Sequence, residues 1–207
     1  MKRWTAWILA CTGLWVAVAV AWAAAKVGVR AVIVMPNTAP QIKVDGVKKL
    51  ATGWKFDSIS IGLPAPIRNN KPVKEKGYTT QLIGADAVKY INEQTANKPF
   101  YLYLTFNAPH TPYQAPQDYI DRYKTIADPT RRTYAGMVAC LDENIGKVVA
   151  ALDKKGLRDN TLILFHSDNG GTTDKMFAGQ MADMSKVVLP CDNGPYRNGK
   201  GSLFEGG

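Results

Sequence analysis

The most regular hydrophobic pattern in the chain is a helical stripe that begins after Thr133 and stops before Gly156. Its apolar residues recur every three or four positions and charged residues fall outside it, so we predict an amphipathic helix with one buried face. A shorter pattern of the same kind predicts a helix over Thr80–Glu93. The stripe of the longer helix comprises Tyr134, Met137, Val138, Leu141, Ile145, Val148, Val149 and Leu152.

Two continuous apolar runs predict strands. Phe100–Phe106 is rich in aromatic residues and typical of a strand buried on both faces, and Thr161–Phe165 is a second apolar run. The order helix, strand, helix, strand predicts an α/β fold in which helices pack over a parallel sheet. Binding sites in such sheets form beyond the carboxyl ends of the strands, and polar residues follow both runs at that point.

The chain upstream of these elements has a different character. Ala31–Met35 predicts a strand, and a turn and a basic helical stretch follow it within residues 26–53. Such a unit is too short to bury its own apolar face. Residues 64–77 are rich in Pro, Asn and Gly and predict a loop.

The N-terminus has the pattern of an export signal. Lys2 and Arg3 precede an uncharged apolar run from Trp4 to Ala25, and small residues close that run as they do at a cleavage site. We therefore predict a signal peptide over residues 1–25 and a secreted, periplasmic or lumenal protein. A retained membrane anchor is the alternative, because about 20 apolar residues just span a bilayer; only this uncleaved segment would contact a membrane.

The net charge of the 207-residue chain is +9, with 26 Lys+Arg against 17 Asp+Glu. A surplus of this size would usually point to nucleic acid or an anionic membrane as a partner. However, residues 1–77 contain 12 basic and 3 acidic residues, whereas residues 78–207 contain 14 of each. The basic stretch from Lys43 to Lys76 has no stacking platform and no recognised binding motif, so we expect no nucleic-acid partner.

Asp168 and Asn169 lie at the end of the second predicted strand and supply one carboxylate and one amide oxygen. Hard oxygen donors suit Ca²⁺ or Mg²⁺, and the glycines that follow allow a sharp turn around an ion. An Asx turn that closes the strand is the more common use of Asp-Asn-Gly, so both interpretations stay open here.

His110 and Lys200 are the candidate groups for an anionic substrate. His110 lies on a proline-rich loop after the first predicted strand, where it is placed to donate a hydrogen bond or act as a general acid; a surface histidine is the alternative. Lys200 lies between Gly199 and Gly201, which would let its cation approach a sulfate or phosphate closely. His166 is expected to have a structural role.

Eight segments together share the order and spacing of a known family. They are Lys98–Leu104, Ala108–Pro112, Tyr134–Val138, Leu141–Glu143, Gly156–Leu157, Asn160–Thr161, Ser167–Gly171 and Gly199–Gly207. Through them the chain resembles the sulfatase family, most of all the arylsulfatase branch that includes N-acetylgalactosamine-4-sulfatase. The resemblance is nearly continuous from about Gly77 to the last residue and weaker back to Trp54.

The resemblance implies an alkaline-phosphatase-like α/β/α sandwich that hydrolyses sulfate esters at a divalent metal, usually Ca²⁺. It further implies that Asp168 and Asn169 are metal ligands. His110 would contact the substrate sulfate and its bridging oxygen, and Lys200 would hold the sulfate from the other side. The expected partner is a sulfate ester or a sulfated glycan.

The departures from the family concern its nucleophile and its other ligands. The family's formylglycine is made from the cysteine or serine of a Cys-x-Pro-Ser-Arg motif, and none of Cys11, Cys140 and Cys191 lies in one. The chain also has no adjacent aspartates and no Lys-x-His pair. We therefore expect residues 54–207 to be the incomplete, middle part of a sulfatase catalytic domain. Whether Cys140 and Cys191 pair is left open.

Residues 23–50 resemble a segment of threonine dehydratases, which use pyridoxal phosphate. The cofactor lysine motif and the glycine-rich phosphate loop of that family are absent, so we expect no such chemistry. A misassembled reading frame and chance retention of a βα unit both fit this segment. The sequence thus predicts three segments, which are residues 1–25, 26–53 and 54–207.

Two functions follow as expectations. The first is a sulfatase-family protein whose fragment cannot turn over substrate because its nucleophile motif is missing. The alternative is a non-catalytic pseudoenzyme that binds sulfated glycans.

Overall fold

A computed structural model describes residues 75–175 and 188–207, together with the backbone of four strands upstream of them. These strands are β1 (Arg30–Pro36), β2 (Ile59–Gly62), β3 (Ala65–Arg68) and β4 (Lys71–Pro72). The predicted export signal and the predicted basic helical stretch lie outside the described residues. Within the described part of the chain, no helix has the length and apolar character needed to cross a membrane.

A three-stranded parallel sheet organises the molecule. Its strands are β5 (Tyr101–Phe106), β1 and β6 (Thr161–Phe165), in that order across the sheet. Strand β1 pairs in parallel with both neighbours, so that Ala31 lies opposite Tyr101 on one side and Leu162 on the other. The predicted parallel sheet is therefore confirmed, and each predicted strand is found within one residue of its predicted ends.

The segment predicted as residues 26–53 supplies the central strand of this sheet, because β1 lies within it. An apolar strand that cannot form a core alone finds its hydrogen-bonding partners in β5 and β6. The boundary predicted between residues 53 and 54 remains a prediction.

The prediction of a loop over residues 64–77 is wrong for part of that range. Strands β2, β3 and β4 form a small antiparallel sheet, in which Ser60 lies opposite Ile67 and Arg68 opposite Lys71. Pro72 lies in the outer strand β4, where proline is tolerated because an outer strand leaves backbone N–H groups unpaired, whereas Pro66 lies in the four-residue middle strand β3, opposite Ile61. The proline-rich segment that predicted a loop thus also contributes to a short sheet.

Three α-helices lie among the described residues: α1 (Thr79–Glu93), α2 (Gln117–Asp121) and α3 (Pro129–Lys154). A 3₁₀ turn at Arg158–Asn160 precedes β6. The predicted shorter helix is confirmed as α1. The predicted longer helix is confirmed as α3, but it begins several residues earlier than its apolar stripe.

The ends of α3 follow from capping residues. At the start, the Asp128 carboxylate accepts a 2.6 Å hydrogen bond from the Arg131 N–H, and Pro129 occupies the first turn. At the end, Gly156 adopts a φ of 63° and the Leu157 N–H donates to the Leu152 carbonyl at 2.9 Å. This is a Schellman motif, so the predicted glycine stop is confirmed.

The hydrophobic core lies between β5 and the pair α1 and α3. Its members from the strand, such as Leu104 and Phe106, pack against buried residues of both helices, such as Ile91 in α1 and Leu152 in α3. Phe106, Ile91 and Leu152 have no exposed surface. The strand side chains are thereby fixed, and with them the start of the loop that follows β5.

The buried face of α3 differs from its predicted stripe at one edge. Val138 is 40% exposed, whereas Gly136 and Cys140 are buried. The reason is α2, whose backbone packs directly on Gly136: a Cβ atom there would lie 3.2 Å from the Ile120 nitrogen. The contact between α2 and α3 therefore buries a face of α3 that is shifted from the apolar stripe of its sequence.

Helices α1 and α3 approach each other at a glycine. Gly84 of α1 lies against Asn144 of α3, and a Cβ atom at Gly84 would lie 2.8 Å from the Asn144 Cβ. Asn144 is only 2% exposed, and its amide donates a 2.7 Å hydrogen bond to the Cys140 carbonyl. The asparagine cannot move without breaking this bond in the interior.

We expect Gly84→Ala to destabilise the protein by about 1–3 kcal/mol, because the added methyl group overpacks the helix contact. Gly146→Ala is the matched control: Gly146 lies in α3 with nothing near its Cβ position, so alanine should stabilise the helix by about 1 kcal/mol through propensity alone. Denaturant unfolding followed by circular dichroism measures both. Equal effects of the two substitutions would contradict the contact.

Candidate functional site

Three loops meet at the carboxyl edge of the parallel sheet. They are residues 107–112 after β5, residues 166–171 after β6, and part of the segment 188–207. Together they line a cavity of about 110 Å³. His110, Asp168, Asn169 and Lys200 all line it, so the structure brings the four residues singled out in the sequence to one place.

His110 and Lys200 are in contact across the cavity. The Lys200 Nζ lies 3.4 Å from the His110 Nε2, and the His110 Nδ1 lies 2.8 Å from the Thr111 carbonyl oxygen. A carbonyl oxygen only accepts, so Nδ1 carries the proton. In the neutral ring Nε2 then presents its lone pair to the Lys200 ammonium, and the pair has a defined donor and acceptor.

The loop that carries His110 is held at both ends. Its first residues form a turn in which the His110 N–H donates to the Asn107 carbonyl at 2.9 Å. Farther along, the Tyr78 hydroxyl donates a 2.7 Å hydrogen bond to the Gln114 carbonyl and ties the loop to the start of α1. The imidazole is therefore presented from a fixed backbone even though the side chain is exposed.

The loop after β6 turns at Asp168 and Asn169. The Ser167 hydroxyl donates to the Asn169 carbonyl at 2.7 Å, and the Asn169 amide nitrogen donates to the Gly170 carbonyl at 2.8 Å. This use of the nitrogen leaves Asn169 Oδ1 as the atom available to a cation. The Asp168 carboxylate is exposed. The pKa of Tyr103 is raised first by the burial of its own ring and second by the nearby negative charge of Asp168.

A further oxygen in the cavity wall is unpaired. Asn107 lines the cavity, and its side-chain Oδ1 is buried with no hydrogen-bond partner among the described residues. A buried acceptor without a donor is unfavourable, and a cation or a donating ligand would satisfy it. Sequence reasoning did not single out Asn107, because nothing in its neighbours distinguishes it from a turn residue.

The residues fit a hard cation in part. Asp168, Asn169 and Asn107 are three residues of the cavity wall whose side chains carry oxygen, whereas Ca²⁺ takes roughly six to eight oxygen ligands. In residues 75–175 and 188–207, no group of three or more His, Cys, Asp and Glu side chains is arranged to hold a metal ion. The described residues therefore supply only part of a coordination shell.

An aromatic wall closes one side of the cavity. The rings of Tyr113 and Tyr134 meet edge to face with centroids 6.0 Å apart, and the Cys191 thiol lies beside both hydroxyls. Burial, followed by Cys191, raises the pKa of Tyr113 to about 12, and the same causes raise that of Tyr134. Both hydroxyls thus stay neutral near pH 7 and add no negative charge beside an anion.

The sequence did not identify this wall. The spacing of Tyr134 assigned it to the buried stripe of α3, and Cys191 had no motif around it. Cys191 and Cys140 are both free thiols, which answers the question of their pairing. His166 is exposed and does not line the cavity.

Comparison with known proteins places the chain in one family. The sequence model of the Sulfatase family matches residues 21–207. Arylsulfatase J of Mus musculus is 36% identical over 130 residues, which are 63% of this chain and 19% of that protein. N-acetylgalactosamine-6-sulfatase of Homo sapiens is 31% identical over 128 residues, which are 62% of this chain and 22% of that protein.

Among solved structures, the crystal structure of Ps i-CgsB is similar, with a TM-score of 0.62 and 32% identity. The match covers 86% of this chain and 42% of the other. The chain thus spans less than half the length of the proteins it matches. The predicted alkaline-phosphatase-like α/β fold is confirmed in partial form, and the family match includes the segment predicted as residues 26–53.

We expect a maleimide reagent to label Cys191 at least about a hundredfold faster than Cys140 in the native chain. Cys191 is partly exposed at the cavity, whereas Cys140 has no exposed surface and reacts only after an opening that costs on the order of 3 kcal/mol. Peptide mapping by mass spectrometry measures each thiol separately. In denaturant the two rates should become equal, and equal rates in the native chain would contradict the placement of Cys191.

Proposed function

The chain belongs to the sulfatase family, and on that premise we propose that its cavity receives the sulfate group of a sulfate ester. Sulfatases hydrolyse such esters. The observation that carries the proposal is the meeting of His110, Lys200, Asp168 and Asn169, from three distant parts of the sequence, around one cavity. A divalent cation beside a lysine and a histidine suits a group with negative charge on several oxygens.

Lys200 and His110 act on the sulfate in different ways. The Lys200 ammonium donates to a sulfate oxygen and offsets its charge, and this stabilisation grows as charge develops during cleavage of the ester bond. The His110 Nε2 lies 3.4 Å from that ammonium and orients it. When the ring is protonated, Nε2 instead becomes a donor to the bridging oxygen of the ester.

Asp168 and Asn169 are proposed as two ligands of a Ca²⁺ ion, with the unpaired Asn107 Oδ1 as a further oxygen in the same wall. When bound, the ion would withdraw electron density from the sulfate oxygens. The ligands offer oxygen only, which favours a hard cation over zinc. Two of these three side chains are neutral amides, so the site retains net positive character toward an anion once the ion is bound.

The 207-residue chain is proposed to bind sulfate esters without turning them over. It contains no Cys-x-Pro-Ser-Arg motif to supply the family's covalent nucleophile. A non-catalytic protein that binds sulfated glycans is the second candidate, and the same cavity would serve it. The relatives named for aryl sulfates and for N-acetylgalactosamine 6-sulfate support an organic sulfate, with a sugar as one class of partner.

The proposed location is extracellular, periplasmic or lumenal. It rests on the pattern of residues 1–25, where a short positive stretch precedes an apolar run that ends in small residues.

We expect Lys200→Ala to weaken the binding of inorganic sulfate at least about tenfold, since a charge-assisted hydrogen bond is worth roughly 1.5–3 kcal/mol. Lys89→Ala is the matched control, because Lys89 is an exposed lysine of α1 outside the cavity. Isothermal titration calorimetry of the full chain, with Ca²⁺ present, measures both. Equal sulfate affinities of the two variants would show that Lys200 does not bind the sulfate.

A turnover assay tests the proposed inactivity, which both candidate functions share. The purified chain should release no detectable product from an aryl sulfate in the presence of Ca²⁺. Release that disappears in His110→Ala would show a working active site and overturn the proposal of inactivity.

A further inference from the structure

Asn193 makes three hydrogen bonds to main-chain groups of the two loops that carry the site. Its Oδ1 accepts from the Gly171 N–H at 2.8 Å, and its Nδ2 donates to the Gly171 carbonyl at 2.8 Å and to the Asn198 carbonyl at 3.0 Å. A primary amide that faces an N–H and a carbonyl of the same residue has only one orientation that pairs both. Asn193 thus binds Gly171 as a neighbouring strand would.

The two loops also touch each other directly. The Lys200 N–H donates to the Gly171 carbonyl at 3.1 Å, so that this oxygen accepts from both Lys200 and Asn193. A Cβ atom on Gly199 would lie 2.7 Å from the Asn193 Nδ2, and one on Gly171 would lie 2.7 Å from the Cys191 Cβ. The contact therefore requires glycine at both positions.

These contacts connect the two halves of the site. Gly171 follows Asp168 and Asn169 by three and two residues, and Asn198 precedes Lys200 by two. Asn193 itself does not line the cavity. We infer that Asn193 is a positioning residue, which fixes the Lys200 ammonium relative to Asp168 and Asn169 through the backbones of Gly171 and Asn198.

This inference rests on the proposed function, in which Lys200 and the Asp168–Asn169 pair act on one sulfate. It adds a residue to which neither the family resemblance nor the lining of the cavity points. Because every partner of Asn193 is a main-chain group, the arrangement does not depend on a bound ligand.

The test compares Asn193→Ala and Asn193→Asp with Asn92→Ala in the full chain. Asn193→Asp keeps the shape and the acceptor for the Gly171 N–H but loses both donated bonds. Asn92 is an exposed residue near the end of α1 and serves as the matched control. The first measurement is the affinity for inorganic sulfate by calorimetry, and the second is the ¹⁵N spectrum of the histidine rings without ligand.

We expect both Asn193 variants to bind sulfate about tenfold more weakly, the effect of losing roughly one to two hydrogen bonds from the support of Lys200. The ring signals of His110 should move, because Lys200 is its neighbour at 3.4 Å, while those of His166 should not. With only two histidines in the chain, the two sets of signals are readily separated. Asn92→Ala should change neither measurement.

Unchanged His110 signals together with unchanged sulfate affinity would overturn the inference. Loss of the folded state in both Asn193 variants would overturn it as well, since Asn193 would then serve folding as a whole. If the unsubstituted chain binds no sulfate, the proposed function fails, and the His110 ring signals alone still decide whether Asn193 positions Lys200.

Discussion

The parallel pairing of β1 with both β5 and β6 determines where everything else in the site can lie. Among the described strands β5 and β6 are not neighbours, and only β1 hydrogen-bonds to both. Its register sets Pro36 opposite Phe106 and Val34 opposite Phe165, so the two outer strands end at one edge of the sheet. The loops after β5 and β6 therefore begin side by side, although more than fifty residues separate them in the sequence.

From that edge the site is completed by contacts between backbones. The core between β5 and the helices fixes the start of the loop that carries His110, while the loop that carries Asp168 is packed against the segment of Lys200 at Gly171 and Gly199. Glycine at both positions lets the two main chains approach closely, and the Asn193 side chain bridges them. The arrangement gives one cavity a carboxylate, an amide oxygen, an imidazole and an ammonium from three separate parts of the chain.

The elements that could be predicted from the sequence are those that the residues of a short window define. The features that depend on tertiary contacts could not be predicted. The apolar runs and the helical stripes identified β5, β6, α1 and α3, because period and composition are properties of a short window. The exposed position of Val138 and the buried position of Gly136 follow from α2, which no local pattern reveals. Asn193 and Asn107 were missed for the same reason. Asn193 binds main-chain atoms and Asn107 lines a cavity, and neither role can be predicted from the spacing of residues in the sequence.

The contact between Lys200 and His110 changes what a lysine can do. An ammonium group carries three N–H bonds in a tetrahedral arrangement and normally rotates freely on a flexible stem. When one of these bonds is directed at the His110 Nε2, rotation about the Cε–Nζ bond is restricted and tetrahedral geometry sets the directions of the other two. Lys200 then acts less like a mobile point charge. It offers two hydrogen-bond donors in restricted directions, as a guanidinium group does.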